Sequence, residues 1–312
     1  MESTELLAAT DKGLATAAKY LRSGRLVAFP TETVYGLGAD AGNDLAVARV
    51  FEAKARPTFN PLIIHVASLA DAERLGEFNA QARTLARSFW PGPITLVLPL
   101  RADAAVSKLA LAGANTIALR VPKASIAQNL LLATGRPIAA PSANPSGRIS
   151  PTSAAHVLRG LGGQIAAIID GGLCPVGLES TVVSTGEPPA LLRHGGLTKE
   201  EIERVLGVDL ALPADGDGAA SPGRSLSHYA PEASLRMNAT ASEGDEVLLG
   251  FGDVEGDENL SAEGDVAVAA ANLFHMLHAL DALGRPIAVA PVPEHGLGLA
   301  INDRLRRAAG RR

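Results

Sequence analysis

Lys54 and Arg56 flank Ala55 and are followed at once by Pro57. Two cations so close, on a segment stiffened by proline, suit a polyphosphate, because both charges can face one anion. Taken alone they read more simply as helix-end charges favoured by the helix dipole. A second group is the loop Pro141-Ser142-Ala143-Asn144-Pro145-Ser146-Gly147. Its hydroxyls, amide and glycine follow a short apolar strand, where open α/β sheets tend to bind ligands, and they offer donors to phosphate oxygens. A plain turn needs fewer polar groups than this, so the loop reads as functional. Arg120 ends a strand and either grips a carboxylate in bidentate fashion or makes a structural ion pair. His65, inside Leu62 to Val66, is a pocket donor or a satisfied core histidine, and in isolation the core reading is the stronger. Thr31, Glu32 and Thr33 bind a small polar ligand or form a turn. Ser180, Thr181 and Arg193 repeat the pattern of polar groups at strand ends.

Together these residues describe a cleft for an anionic nucleotide and a small zwitterion, with no evident covalent nucleophile. Several familiar signatures are missing from the sequence. There is no Gly-x-x-x-x-Gly-Lys-Ser/Thr loop and no Gly-x-Ser-x-Gly elbow, which argues against P-loop nucleotide hydrolysis and an α/β-hydrolase. His275 and His278 are three apart on an expected helix but bring no further ligands, so they read as helix-surface or interface histidines. Gly296-Leu297-Gly298 lacks the third glycine and the downstream acid of a dinucleotide site, and reads as a tight turn.

The elements that must position these groups follow from periodicity and punctuation. Helices are expected over 11–21, 43–55, 125–133 and 198–206, the second with Asn43 or Asp44 as N-cap and the last capped by Thr198. Strands are expected over 25–29, 62–66, 94–98, 116–121, 137–140, 165–169, 180–184 and 190–193. Strands and helices interleave irregularly, and several strands follow one another directly, so the fold class is α/β with an open, twisted, mixed sheet. Residues 212–223 are rich in Gly, Pro and Asp and read as a linker. Beyond it, strands over 246–250 and 286–290 and helices over 266–283 and 299–309 make a small Rossmann-like α/β unit.

The chain has 312 residues, beyond the usual size of one core. A hydrophobic share of 47% and a charged share of 20% fit a soluble globular protein. With 33 acidic against 28 basic residues the net charge is −5, and no Lys/Arg stripe stands out. Tight, salt-sensitive RNA binding is therefore not expected, though a transient tRNA contact stays open. Cys174 is the single cysteine, which fits a reducing compartment. The acidic start lacks the layout of a secretion signal, and no apolar run reaches the roughly 18–20 residues of a membrane span. The expectation is a cytoplasmic protein with no membrane contact.

Five motifs match one family in order and approximate spacing. They are Pro30-Thr31-Glu32-Thr33-Val34-Tyr35-Gly36-Leu37, Lys54-Ala55-Arg56-Pro57 with Asn60-Pro61-Leu62, Trp90-Pro91-Gly92-Pro93-Ile94-Thr95, Arg120-Val121-Pro122, and the 141–147 loop. They resemble the YrdC/Sua5 family, and the resemblance continues through Glu179-Ser180-Thr181-Val182-Val183 and Leu192-Arg193. Ser221-Pro222-Gly223 and His228-Tyr229-Ala230-Pro231 resemble the segment that crosses the active-site cleft in the long Sua5 form. Asn302-Asp303-Arg304-Leu305 resembles the end of its C-terminal domain. The domains implied are a YrdC-like catalytic domain over 1–207, a crossing linker over 208–232 and a Sua5 C-terminal domain over 233–312.

The resemblance implies L-threonylcarbamoyladenylate synthase activity, a nucleotidyl transfer. L-threonine, bicarbonate or CO₂ and ATP would give threonylcarbamoyl-AMP and pyrophosphate. The product feeds the N6-threonylcarbamoyl modification of adenosine 37 in tRNA, through a downstream threonylcarbamoyl transferase. By motif, Lys54 and Arg56 would contact ATP phosphates, with Asn60, Thr116, Ser142, Asn144 and Ser150 around the nucleotide and Arg193 closing on it. Tyr229 would belong to the linker cover. Thr33, His65, Arg120 and Ser180 would hold threonine. Mg²⁺ would accompany ATP, with no direct protein ligands. Two rivals are a related carbamoyl-adenylating enzyme and an RNA-binding module of the same fold. The lack of cysteine-rich zinc motifs counts against the first, and the acidic balance counts against the second.

Overall fold

The computed structural model of the chain describes residues 3–212 and 229–310. In chain order it opens with β1 (Glu5–Ala8), α1 (Asp11–Arg22), β2 (Val27–Pro30), β3 (Tyr35–Asp40), α2 (Asp44–Lys54) and β4 (Ile63–His65). There follow α3 (Leu69–Ala72), α4 (Ala80–Phe89), β5 (Ile94–Pro99), β6 (Thr116–Arg120), α5 (Ser125–Thr134) and β7 (Ile138–Ala139). The N-terminal unit closes with α6 (Ala154–Leu161), β8 (Ala167–Asp170), β9 (Thr181–Ser184), β10 (Ala190–Arg193) and α7 (Lys199–Leu206). The C-terminal unit comprises β11 (Leu235–Arg236), β12 (Val247–Gly250), β13 (Glu258–Asn259), α8 (Val266–Asp281), β14 (Ile287–Val289) and α9 (Leu297–Ala309). Residues 213–228 of the expected linker, with Ser221-Pro222-Gly223 and His228, lie outside the described residues.

The first ten strands form one sheet in the order β1-β8-β2-β3-β7-β4-β6-β5-β9-β10. Sequential neighbours β2–β3, β5–β6 and β9–β10 pair antiparallel, whereas β4–β6, β5–β9 and β2–β8 pair parallel. This is the mixed sheet that the irregular spacing implies. Alternation decides what each face does, because successive side chains point to opposite sides. On one face Ile64, Leu96, Leu119 and Val183 join the main core, together with Val47 and Val50 of α2, Leu85 of α4 and Ile202 of α7. On the other face α1 and α5 seal one half, over Val27, Phe29, Ile138 and Ile169. The other half, across β4, β6, β5 and β9, carries a small apolar cluster of Ile63, Val97, Ala118 and Val182. That half is the floor of the site.

The helix ends follow their sequence signals. Asn43 accepts from the Ala46 amide at the start of α2, and Thr198 and Glu201 form a reciprocal capping box on α7. The strand β1, the helix α6 and the two-residue strands β11 and β13 were not legible from pattern. They are too short for periodicity, and β1 owes its form to parallel pairing with β8, some 160 residues away.

The four strands of the C-terminal unit, in the order β11-β14-β12-β13, are all parallel. Its core draws in Val34, Ile149 and Leu178 from the N-terminal unit, and Tyr229, whose ring stacks on Phe274. His156 of α6 stacks on His278 of α8 with ring centroids 3.9 Å apart, which puts His278 at the interface, while His275 is exposed on the same helix; a helix-surface or interface place was expected of both. Gly296 takes a positive φ of 54° ahead of α9, where a tight turn was expected. Among the described residues no helix is long and apolar enough to cross a membrane.

Candidate active site

The register of the central strands brings the polar groups to one face. Ile63 and His65 of β4 lie opposite Ala118 and Arg120 of β6, and Val97 of β5 also faces Ala118. With a period of two, Thr116, Ala118 and Arg120 project together from β6. Thr95 of β5 faces Val182 of β9, and its hydroxyl lies 2.7 Å from that of Ser180. The resulting pocket is walled by Thr33, Arg56, His65, Arg120, Ser142, Glu179, Ser180, Arg193 and Tyr229, among others.

Arg120 is buried and held on three sides. Its Nη2 donates to Glu32 Oε1 at 2.6 Å, its Nη1 to Thr33 Oγ1 at 2.9 Å and its Nε to the Gly92 carbonyl at 3.3 Å. Glu32 Oε2 accepts from the Lys123 and Ala124 amides. Burial pushes the Glu32 carboxyl up, but Arg120 and the amides more than offset it and hold it below the usual carboxylate range. Arg120 is thus both a structural ion-pair partner and a wall of the pocket. Two of its five N–H groups remain beyond these three bonds, enough donors for a carboxylate. His65 is buried beside it with Nδ1 unpartnered. Burial, and then the Arg120 charge, pull its pKa down to about 3, so the ring is neutral at physiological pH.

The cationic side is built by α2 and the 141–147 loop. α2 ends on Ala55 in the left-handed region, which sets Lys54 and Arg56 on either side of the turn. Lys54 is 1% exposed, and its ammonium donates to the carbonyls of Ser142 and Asn144, while the Ser146 amide returns a bond to the Lys54 carbonyl. Burial, then repulsion from Arg56, hold its pKa well below the ordinary value. Arg56 donates to the carbonyls of Asn60 and Pro61. Burial, then Arg193, bring its pKa down to about 10, which leaves it charged at neutral pH. Arg193 on β10 donates to the Ser180 carbonyl at 2.8 Å and to its hydroxyl at 3.2 Å.

Of the cations and hydroxyls expected to form one cleft, Arg56, Arg120, Ser142 and Arg193 line this one pocket, as do Thr33, His65, Ser180 and Tyr229. Lys54 stands behind it, bracing the loop. Asn144 is buried next to Lys54, donating to the carbonyls of Pro145 and Arg148, with Oδ1 unpartnered. Ser150 is buried and donates to Glu179. Asn60 is half-buried, and Thr116 lies exposed at the far end of β6 from Arg120.

Two residues of the site were missed by reasoning on single residues. Glu179 lines the pocket, and Arg304 of α9, wholly buried, donates to it from Nε and Nη2 at 3.1 and 3.0 Å. Their partnership spans 125 residues and two sheets, which no local spacing reveals. Burial pushes the Glu179 carboxyl up, but Arg304, then Arg193, then Ser150 outweigh it and hold it below the ordinary range.

A family model described as "Telomere recombination" matches residues 19–195, and one described as "Threonylcarbamoyl-AMP synthase, C-terminal domain" matches residues 197–310. The chain is 46% identical to the threonylcarbamoyl-AMP synthase of Pyrococcus abyssi, over 95% of this chain and 94% of that one. It is 41% identical to the enzyme of that name from Bacillus subtilis, over 100% of this chain and 97% of the relative. Among solved structures it is similar to the crystal structure of P. abyssi Sua5 complexed with L-threonine, with a TM-score of 0.91, 43% identity and 98% of each chain covered.

Proposed function

The chain belongs to the YrdC/Sua5 family in its long, two-domain form, and from that premise we propose that it is an L-threonylcarbamoyladenylate synthase. The observation that carries the reading is the convergence of Arg56, Arg120, Ser142 and Arg193 on one sheet face, beside a buried histidine nitrogen with no partner. Buried polar atoms left unpaired in a native site call for a ligand or water.

Threonine is proposed to place its carboxylate on the two remaining N–H groups of Arg120, with Thr33, neutral His65 and Ser180 around its other polar groups. Its amine attacks CO₂, forming a C–N bond and releasing a proton, to give a carbamate. A carbamate oxygen then attacks the α-phosphorus of ATP, the bond to the β-phosphate oxygen breaks, and pyrophosphate leaves with that electron pair. Arg56 and Arg193 act on the phosphates by position and electrostatics, in a site largely removed from water. Lys54 is proposed to serve that end through the 141–147 loop, whose carbonyls it holds. The adenosine is proposed to run over Ile63 and Ala118 toward Thr116 and Asn60, which would give the exposed Thr116 a role at the end of an apolar strip.

Among the described residues no group of three or more His, Cys, Asp or Glu side chains is arranged to hold a metal ion. Mg²⁺ is proposed to enter with ATP on its phosphate oxygens. The free volume of the pocket is about 50 Å³, whereas sites for small organic ligands run to several hundred. The product is proposed to pass to a threonylcarbamoyl transferase acting on tRNA.

Pyrophosphate release from ATP, Mg²⁺ and bicarbonate, followed with and without L-threonine, tests the reading. Release that requires threonine supports it, and release that ignores threonine rejects it.

A further inference from the structure

The buried contact between Arg304 and Glu179 joins the two units at the pocket itself. Glu179 is 6% exposed and lines the pocket, and both of its oxygens are engaged, Oε1 by Ser150 and Oε2 by Arg304. Arg304 is fully buried on α9. Its Nη1 donates to the His194 carbonyl at 2.7 Å and to Asp303 at 3.1 Å, and its guanidinium lies 5.3 Å from the centroid of the Tyr229 ring. Arg193 lines the same pocket as Glu179 and donates to Ser180, the next residue along the chain. A buried carboxylate deprived of its partner is costly, and an opposite charge close by offsets that cost.

We infer that Arg304, contributed by the C-terminal unit, is a positioning residue of the synthase site. By engaging Glu179 it keeps that carboxylate from drawing Arg193 off the pocket wall where the nucleotide phosphates are placed. The inference rests on the synthase reading and adds to it a function for the C-terminal unit, which completes the nucleotide side of the site. The threonine carboxylate is placed on Arg120, which has its own ion pair with Glu32, so Arg304 reaches the threonine side more weakly, through the contact of Arg193 with Ser180.

The test uses the full chain with Arg304→Met, Arg304→Lys and the double variant Arg304→Met/Glu179→Gln, each first checked for folding by its thermal midpoint. Arg304→Met is expected to raise KM and the equilibrium Kd for ATP at least about tenfold, and KM for threonine by clearly less, about threefold at most. In the double variant no buried carboxylate remains to pull on Arg193, so at least about fivefold of the loss should return. Arg304→Lys keeps the charge and should show a smaller loss, about threefold, on the same substrate. This variant carries the test should Arg304→Met not fold. An ATP Kd unchanged in either folded variant, an equal loss for both substrates, or a double variant no better than Arg304→Met would overturn the inference. Wild-type pyrophosphate release that ignores threonine would count against the synthase reading instead, and ATP binding by the same variants would still decide the role of Arg304.

Discussion

Arg120 shows how one side chain serves both fold and chemistry. It pairs with Glu32 in the interior and also lines the pocket. Arg120→Ala should therefore do two separable things. Threonine KM should rise by about tenfold or more, the worth of a charge-assisted contact, and the stranded Glu32 should lower stability by about 3–5 kcal/mol. Steady-state kinetics and chemical denaturation read the two effects, and a variant with normal threonine KM would remove Arg120 from the substrate site. Arg56→Ala is expected to cut kcat/KM for ATP by about 100-fold, or roughly 3 kcal/mol, with little change in threonine KM. At this scale the site was legible wherever a residue's type and its strand-end position pointed the same way, as for Arg120, Ser142 and Arg193. It was less legible for Lys54, whose spacing from Arg56 suggests a shared anion but whose ammonium caps two loop carbonyls. Glu179 and Arg304 could not be paired from sequence at all, since each meets its partner only after both units fold.

The strands place these residues by alternation, and the sheet leaves half a face open because α1 and α5 cover only the other half. Branched apolar runs such as Leu-Ile-Ile-His-Val announce buried strands clearly, but they do not say which side of His65 meets a cavity. Register does, by setting His65 opposite Arg120. Close backbone approach is equally invisible in sequence. A Cβ on Gly195 would sit 2.4 Å from the Glu179 carbonyl oxygen and from the Thr181 nitrogen. Gly195→Ala should push β9 and Ser180 away from the pocket, with a loss of stability of about 1–3 kcal/mol and a threonine KM raised at least severalfold. Denaturation together with kinetics checks this, and an unaltered variant would show the approach to be looser than described. Thr198→Ala, which removes the capping box on α7, should cost about 1 kcal/mol and leave turnover unchanged, since α7 lies on the core side of the sheet.

The two units meet through histidines as well as through Arg304. His156 and His278 stack, and the His278 ring nitrogen lies 3.2 Å from the Ser150 carbonyl. Burial, then the charge of His278, lower His156 to about 3. Burial is also the largest cause for His278, lowered to about 4, with Arg159 and His275 acting in the same direction and Asp281 against it. Between pH about 6.5 and the folded values the unfolded chain binds protons that the folded chain refuses. Stability contributed here is therefore complete above pH about 6.5 and is lost as pH falls below it. The thermal midpoint should drop between pH 6.5 and 5, and His278→Gln should flatten that slope. An identical slope in the variant would mean that the interface does not titrate. The central claim, that one pocket joins threonine, CO₂ and ATP, is met most directly by product identity. The chain is incubated with [13C]bicarbonate, L-threonine, ATP and Mg²⁺, and the nucleotides are resolved by mass spectrometry. The expected result is an AMP adduct that carries one threonine and one 13C and is lost when threonine is omitted. An adduct without the label, or AMP and pyrophosphate formed equally without threonine, would contradict it.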